Sequence, residues 1–384
     1  MPEDYCEAAV LGLGGVGSAA FAELARRGID VVGIDRWKPP HQLGSSHGQS
    51  RIFRIAYFEH PNYVPLAQRS REAWLSMENR VERRVFIPSG GAWIGPNGCR
   101  VVRDSQLAAD EHGLEYELIS GEEANRRWPA FSADSDAVCF YEQDAGIVCP
   151  ENAIISFLED GVSNGGTLRC GDQMLELNPS DRDVQIKLSS GVLRAQKVIV
   201  TLGAWSSDLL SDVGIALQPQ RQVLGWTKPK SRELVREGQL PVWVFSDSDT
   251  SIQYGFPICD GMPGPDGAKI ARHCQGEPCD PDTVRRTTDA EDEKTLLTDL
   301  SDRVPAAAGD LIDTKVCMYT LSKDEHFIVD QHPDYNHVVV GCGFSGHGFK
   351  FCPALGEGLA DILLEGETAL PMDFLSLNRF ASPS

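Results

Sequence analysis

"EAAVLGLGGVGSAAFAELARRGIDVVGIDR", residues 7–36, reads as strand, glycine turn, helix and second strand. A short apolar run is followed by Ala20, Leu24 and Ala25 at helical spacing, and then by VVGID. The turn is Gly12-x-Gly14-x-x-Gly17, and Asp35 closes the second strand. In such a βαβ unit the first glycine permits the tight turn, the second lets the backbone approach a pyrophosphate, and the third lets helix and strand pack closely. The helix N-terminus then faces the phosphates, and Asp35 is placed to accept from ribose hydroxyls. A dinucleotide is therefore expected, and this unit alone does not distinguish NAD from FAD.

Two later segments bear on that choice. "AQKVIVTLGAWSSDLL" (195–210) reads as a strand ending in Gly203 and followed by a helix. "HVVVGCGFSGHGFKFCPALGEGLADILLEG" (337–366) reads as another strand, glycine turn and helix. Turns spread from residue 12 to residue 350 suit an extended cofactor spanning an interrupted domain better than a contiguous nicotinamide fold. The stretches 86–145 and 219–316 are rich in Pro, Gly and Asp, with short strands such as PVWVFSD (241–247) and SIQYGFP (251–257). They suit a sheet laid over the cofactor, with "DGMPGPDGAK" (260–269) as an exposed loop or hairpin tip. Trp243 and Phe245 either face a substrate or fill the core of that sheet, the core being the more ordinary place for them.

The 384 residues exceed what one core usually serves, so two domains are expected. A net charge of −21 repels nucleic acid and anionic lipid, and leaves an anionic substrate to locally placed Arg and Lys. Eleven scattered cysteines without a CxxC pair point to reduced thiols rather than to a disulfide framework or zinc, and no metal is expected. No signal-peptide pattern opens the chain, and no apolar run is long enough to span a membrane. A cytoplasmic protein acting as a monomer is the expectation.

Four stretches carry a family resemblance. "GSSHGQSRIFRIAY" (44–57), "YGFP" (254–257), "KVCMYTLSKDEHFIVD" (315–330) and "GFSGHGFKF" (343–351) resemble the monomeric sarcosine oxidase and N-methyltryptophan oxidase family. The resemblance runs along essentially the whole chain. It implies an α/β fold: a glutathione-reductase-type, Rossmann-like FAD-binding domain (1–85, 146–218 and 317–384) interleaved with a mainly antiparallel substrate domain (86–145 and 219–316). It also implies oxidation of the secondary amine of an amino acid, with dioxygen reduced to hydrogen peroxide. Where the family often has two histidines and an Asp-Thr pair, this chain has Ser46-His47 and Gln49-Ser50, and its DGMPGPDG loop carries a few extra residues.

Carried over position by position, Cys317 resembles the cysteine joined to the flavin 8α-methyl group. Arg54 and Lys350 resemble the pair that grips the substrate carboxylate, and Lys269 the lysine that activates dioxygen. His47, Arg51, Tyr254, His273 and Tyr319 resemble residues lining flavin or substrate, with Ser46, Phe344 and His347 in the same motifs. An arginine fork beside a lysine suits a buried carboxylate. A cation roughly 5 Å from developing superoxide, at an effective dielectric near 20, contributes about 3 kcal/mol. Gly343, Gly346 and Gly348 let backbone amides approach the ring edge, where charge gathers on reduction, with the positive end of a helix behind them. The shared motifs leave open a related oxidase of a cyclic or glycated amino acid, an amine dehydrogenase with another acceptor, and a non-catalytic flavin binder.

Overall fold

The computed structural model describes residues 4–207, 215–249, 251–273 and 276–380. The opening unit forms as its pattern predicts: strand Asp4–Leu11, helix Gly15–Arg26 and strand Val31–Asp35, the two strands parallel. Ten of the helix's twelve residues are buried, so small side chains (Gly, Ala, Ser) dominate wherever it touches its neighbours. Gly12 has φ +87, and a Cβ there would lie 2.5 Å from the Thr201 carbonyl oxygen. A Cβ on Gly17 would fall 1.8 Å from the Gly12 carbonyl oxygen.

This unit sits in an eight-stranded sheet. Asp4–Leu11 is flanked by Val31–Asp35 and by Gly191–Val200, and Thr167–Cys170 and Tyr335–Cys342 extend the parallel set on either side. Antiparallel strands Met174–Pro179, Val184–Leu188 and Ile328–His332 complete it. The C-terminal ends of Asp4–Leu11, Gly191–Val200 and Tyr335–Cys342 therefore lie side by side, which brings the three distant turns together. Helix Cys352–Glu365 packs on helix Gly15–Arg26 so closely that a Cβ on Gly356 would meet the Ala19 backbone at 2.7 Å. It ends on Gly366 in the left-handed conformation that glycine adopts without strain. After Gly191–Val200 the chain forms a short 3-10 helix, Gly203–Ser206, in place of an immediate α-helix; the rest of the helix expected there reaches residues outside those described.

The second sheet has nine strands and is antiparallel except where Val242–Ser248 runs parallel to Gly91–Pro96. Towards one edge, Gln218–Thr227 is paired along its length with Leu311–Leu321 and on its other side with Ala268–His273. The boundary expected at 317 thus falls inside a continuous strand of this sheet. Residues 260–267 are the tip of the hairpin joining Ser251–Phe256 to Ala268–His273. Trp243 and Phe245 are core residues, packed with Ala92, Ile94 and Phe131. A three-stranded antiparallel sheet, Arg51–Phe53, Gly146–Val148 and Phe86–Pro88, lies between the two larger ones in sequence. No described helix is long and apolar enough to cross a membrane.

Gly17→Ala is expected to cost about 3 kcal/mol or more, because the added methyl meets backbone rather than a side chain that can move. Gly98→Ala, at φ +80 but with open space around it, is the control and should cost only about 1 to 2 kcal/mol. Thermal unfolding of the two variants checks the difference.

Candidate active site

A cavity of about 570 Å³ runs over the C-terminal ends of the parallel strands. Gly12, Gly14 and Gly17 wall it at one corner, Gly203 at a second, and Phe344, Gly346 and Gly348 at a third. Helix Gly15–Arg26 points its N-terminus into it and carries no acidic residue in its first turn, nor does helix Cys352–Glu365. Both ends leave partial positive charge for an anion. Ser46, which also walls the cavity, accepts from the Gly15 N–H at 3.1 Å. Asp35 takes the Leu13 N–H on one oxygen and the Trp37 N–H on the other, both at 2.8 Å. Each oxygen can accept a further hydrogen bond, and Asp35 also walls the cavity. Thr320 Oγ1, on another wall, is buried without a hydrogen-bond partner among the described residues. A long cleft with glycine backbone at its waist, two acid-free helix ends and an idle hydroxyl fits a dinucleotide such as FAD.

A second cavity, of about 60 Å³, adjoins the first, and the two share Arg51, Tyr319, Gly346 and Phe349 as walls. Its polar lining comprises Arg54, Tyr254, His273, Tyr319, His347 and Lys350; Phe58, Val244 and Ile252 make its apolar side. Strand alternation puts Val244, between the two core aromatics, on this face. Tyr254 and Tyr319 approach at 3.5 Å between hydroxyls, and His273 Nδ1 lies 3.4 Å from the Tyr319 hydroxyl.

The charged residues are held in unlike ways. Arg54 stacks over the rings of Tyr57 and Phe58 at 3.9 and 4.0 Å and donates Nη2 to both oxygens of Glu59 at 2.6 Å, while its Nη1 has no described partner. Arg54 draws the Glu59 carboxyl down to about 2 against the opposing effect of burial. Lys350 donates to the His347 carbonyl at 3.0 Å and to the Tyr57 hydroxyl at 3.2 Å. Burial, with Arg54 nearby, holds its ammonium well below the usual lysine range. An arriving carboxylate would raise it again.

Three expected residues wall neither cavity: Cys317, Lys269 and His47. Cys317 shares a strand face with Tyr319, and its Sγ lies 3.6 Å from Arg51 Nη2 and 3.5 Å from the Ser45 carbonyl. Lys269 sits behind the 48–50 backbone, donating to the Gly48 carbonyl at 2.6 Å, the Ser50 carbonyl at 2.8 Å and the Ser50 hydroxyl at 3.2 Å. Burial, with Arg51 adding to it, holds this lysine far below its usual range. His47 is buried with both ring nitrogens lacking a described partner. His347, expected at the cofactor, walls the smaller cavity instead, and both its ring nitrogens are engaged, by the Tyr57 hydroxyl at 2.8 Å and the Glu325 carbonyl at 3.1 Å.

The sequence reading missed Glu59, Tyr57, Phe58, Val244 and Ile252. Glu59 carried a signal, an acid five residues after Arg54 and just past the end of the 44–57 motif; the others look like ordinary core residues until the sheets close.

Residues 7–362 match the family model described as FAD dependent oxidoreductase. The chain is 37% identical over 375 residues to a monomeric sarcosine oxidase from Bacillus sp. strain B-0618, covering 96% of this chain and 95% of that protein. The chain belongs to this family. It is an FAD-dependent oxidoreductase of the monomeric sarcosine oxidase family. An N-methyl-L-tryptophan oxidase from Yersinia pestis is 29% identical over 373 residues, covering 97% of this chain and 98% of that one. In fold the chain is similar to the Tyr258Phe mutant of NikD, an unusual amino acid oxidase essential for nikkomycin biosynthesis, with a TM-score of 0.85 at 23% identity over 97% of each chain. The lining of the larger cavity fits the FAD that this family uses.

Burial, reinforced by neighbouring cations, pushes His47 and His347 down to about 3 and His273 down to about 4. All three are neutral imidazoles at pH 7. Because the unfolded chain takes up protons near pH 6.5 that the folded state refuses, each removes stability as pH falls below that value, at about 1.4 kcal/mol per pH unit. Unfolding midpoints should drop between pH 7 and pH 5, and carbon chemical shifts of these rings should not titrate above pH 5.5.

Proposed function

We propose that this flavoenzyme oxidises the N-methyl group of a small secondary amino acid such as sarcosine, giving an imine that water hydrolyses to formaldehyde and the parent amino acid, with dioxygen becoming hydrogen peroxide. The observation that carries this reading is the small cavity sharing four walls with the large one, with Arg54 and Lys350 on its polar side. Two cations and a ring of tyrosine and histidine receive an amino acid by its carboxylate, through the idle Arg54 Nη1 and Lys350, and leave its amine towards the shared wall. A space of about 60 Å³ bounded by Phe58, Val244 and Ile252 admits a glycine-sized substrate far better than an indole side chain. The names of the relatives agree with this class of substrate.

FAD, when bound, accepts the two electrons and hands them on to dioxygen. The chain's residues do the rest. His273, 3.4 Å from the Tyr319 hydroxyl, meets the amine as a neutral imidazole, so an amine entering as a free base keeps its lone pair available. Lys269, held by three oxygens behind Gly48 and Ser50, is the residue assigned to the oxygen half of the reaction. Cys317, beside Arg51, is the residue assigned to covalent attachment at the flavin 8α carbon. The turns at Gly12, Gly203 and Gly343 hold the cofactor on the first sheet, and the antiparallel sheet supplies Val244, Ile252, Tyr254, His273 and Tyr319 to the substrate's walls.

Anaerobic mixing with sarcosine should bleach the flavin, and equimolar formaldehyde and peroxide should appear in air; a protein that stays yellow with every small secondary amino acid tried refutes the proposal. Lys350→Met is expected to raise KM by about a hundredfold with a smaller change in kcat, loss of a charge-assisted contact costing on the order of 3 kcal/mol. Lys269→Met should leave anaerobic bleaching intact and slow reoxidation by dioxygen about a hundredfold. After acid precipitation the yellow colour should stay with the pellet, and should move to the supernatant in Cys317→Ser.

A further inference from the structure

Glu142 ends the strand Ala137–Glu142 and is 2% exposed. One carboxyl oxygen accepts the Ile55 N–H at 2.7 Å and the Ala56 N–H at 3.3 Å. These are the two residues that follow Arg54, so Glu142 fixes the turn from which the guanidinium reaches over Tyr57 and Phe58. Its other oxygen has no hydrogen-bond partner among the described residues, and neither does Arg54 Nη1. A glutamine would hold the same backbone through its carbonyl without bringing a charge into a buried place. We propose that Glu142 is a positioning residue for the anion-binding half of the site, holding the turn that carries Arg54 and adding, when ionised, a negative charge that opposes an incoming carboxylate. This inference rests on the assignment of Arg54 and Lys350 as the carboxylate grip.

The charged groups that face Glu142 are few. Burial pushes its carboxyl up to about 7; the two backbone amides and Arg54 pull the other way, and Asp144 adds to the rise. Asp144 is itself paired with Arg71. Glu59, paired with Arg54, stays ionised throughout, and His273 and His347 stay neutral. Between pH 6 and pH 8.5 Glu142 therefore passes from a neutral to a charged neighbour of Arg54. A folded-state value above the unfolded one means that the folded protein holds this proton through the acid range and surrenders it as pH rises through neutrality. An anion binds best before that surrender and weakens it in return.

Acetate carries the carboxylate without the amine, so its binding to the FAD-loaded protein, measured by calorimetry from pH 6 to pH 8.5, isolates this half of the site. Affinity in the wild type should fall about tenfold across that range, the effect of one unit charge roughly 10 Å away at an effective dielectric near 20. In Glu142→Gln it should stay level, near the wild-type value at pH 6. A slope of the same size in Glu142→Gln assigns the titration to another group, Lys350 foremost, and overturns the inference while leaving the carboxylate grip intact. A level profile in the wild type overturns it equally. Failure of acetate to bind at any pH in either protein overturns the grip itself, and this inference with it. Should Glu142→Gln not fold, difference infrared spectra of the wild type with ¹³C-acetate at pH 7.5 decide the matter: a protonated side-chain carboxyl gained on binding supports the role, and its absence refutes it, since a lysine that gains a proton gives no such band.

Discussion

Neutral oxygens, rather than carboxylates, hold three of the four cations where the two cavities meet. Arg51 donates to the carbonyls of Ser45 and Ser50, Lys269 to those of Gly48 and Ser50, and Lys350 to that of His347. Only Arg54 has an acid of its own, Glu59. In a chain with 56 acidic residues, these three cations make no direct ion pair with a carboxylate, although Glu151, bound to the Gly48 and Gln49 amides, lies near enough to act on Arg51 and Lys269. Burial makes such charge costly, which is why the two lysines lie below their ordinary range. The site is completed electrostatically by what enters it: an anionic substrate on one side and a cofactor gaining electrons on the other.

The same constraint accounts for the backbone around the site. Carbonyls can converge on Lys269 only if residues 48–50 turn sharply, and they do so with Gly48 at φ +93 and Gln49 at φ +71. A non-glycine residue there is strained and needs outside support. Gln49 finds it: its side chain accepts from the Trp226 indole at 2.6 Å and donates to the Pro265 carbonyl at 3.0 Å, and Glu151 accepts its backbone N–H. Gln49 and the 260–267 tip thus touch each other. Read separately in sequence they look unrelated.

Legibility followed the range of the interactions. Gly12, Gly14, Gly17 and Asp35 were readable because a βαβ corner is a local device in which spacing along the chain equals spacing in space. The hairpin at 260–267 was readable for the same reason. Motif resemblance points to Arg54 and Lys350, yet nothing in the motif separates the residues that wall the small cavity from Cys317, Lys269 and His47, which lie one layer behind. Nor does the motif show that His347, expected at the cofactor, walls the small cavity. Glu142 gave no sign, since a carboxyl ending a strand is an exposed residue in most sheets.

The sequence alone determined the opening strand–turn–helix, the alternation of Val242–Ser248 and the punctuation of the distant turns, because backbone geometry at glycine and side-chain period are properties of neighbouring residues. Tertiary structure alone decided which strand ends lie together, that Val244 rather than Trp243 meets the small cavity, and that four cations gather there with one of them, Arg54, in an ion pair. Those outcomes depend on packing between segments up to about three hundred residues apart, and burial, which sets both the charge and the reach of each group, does not exist until the sheets have closed.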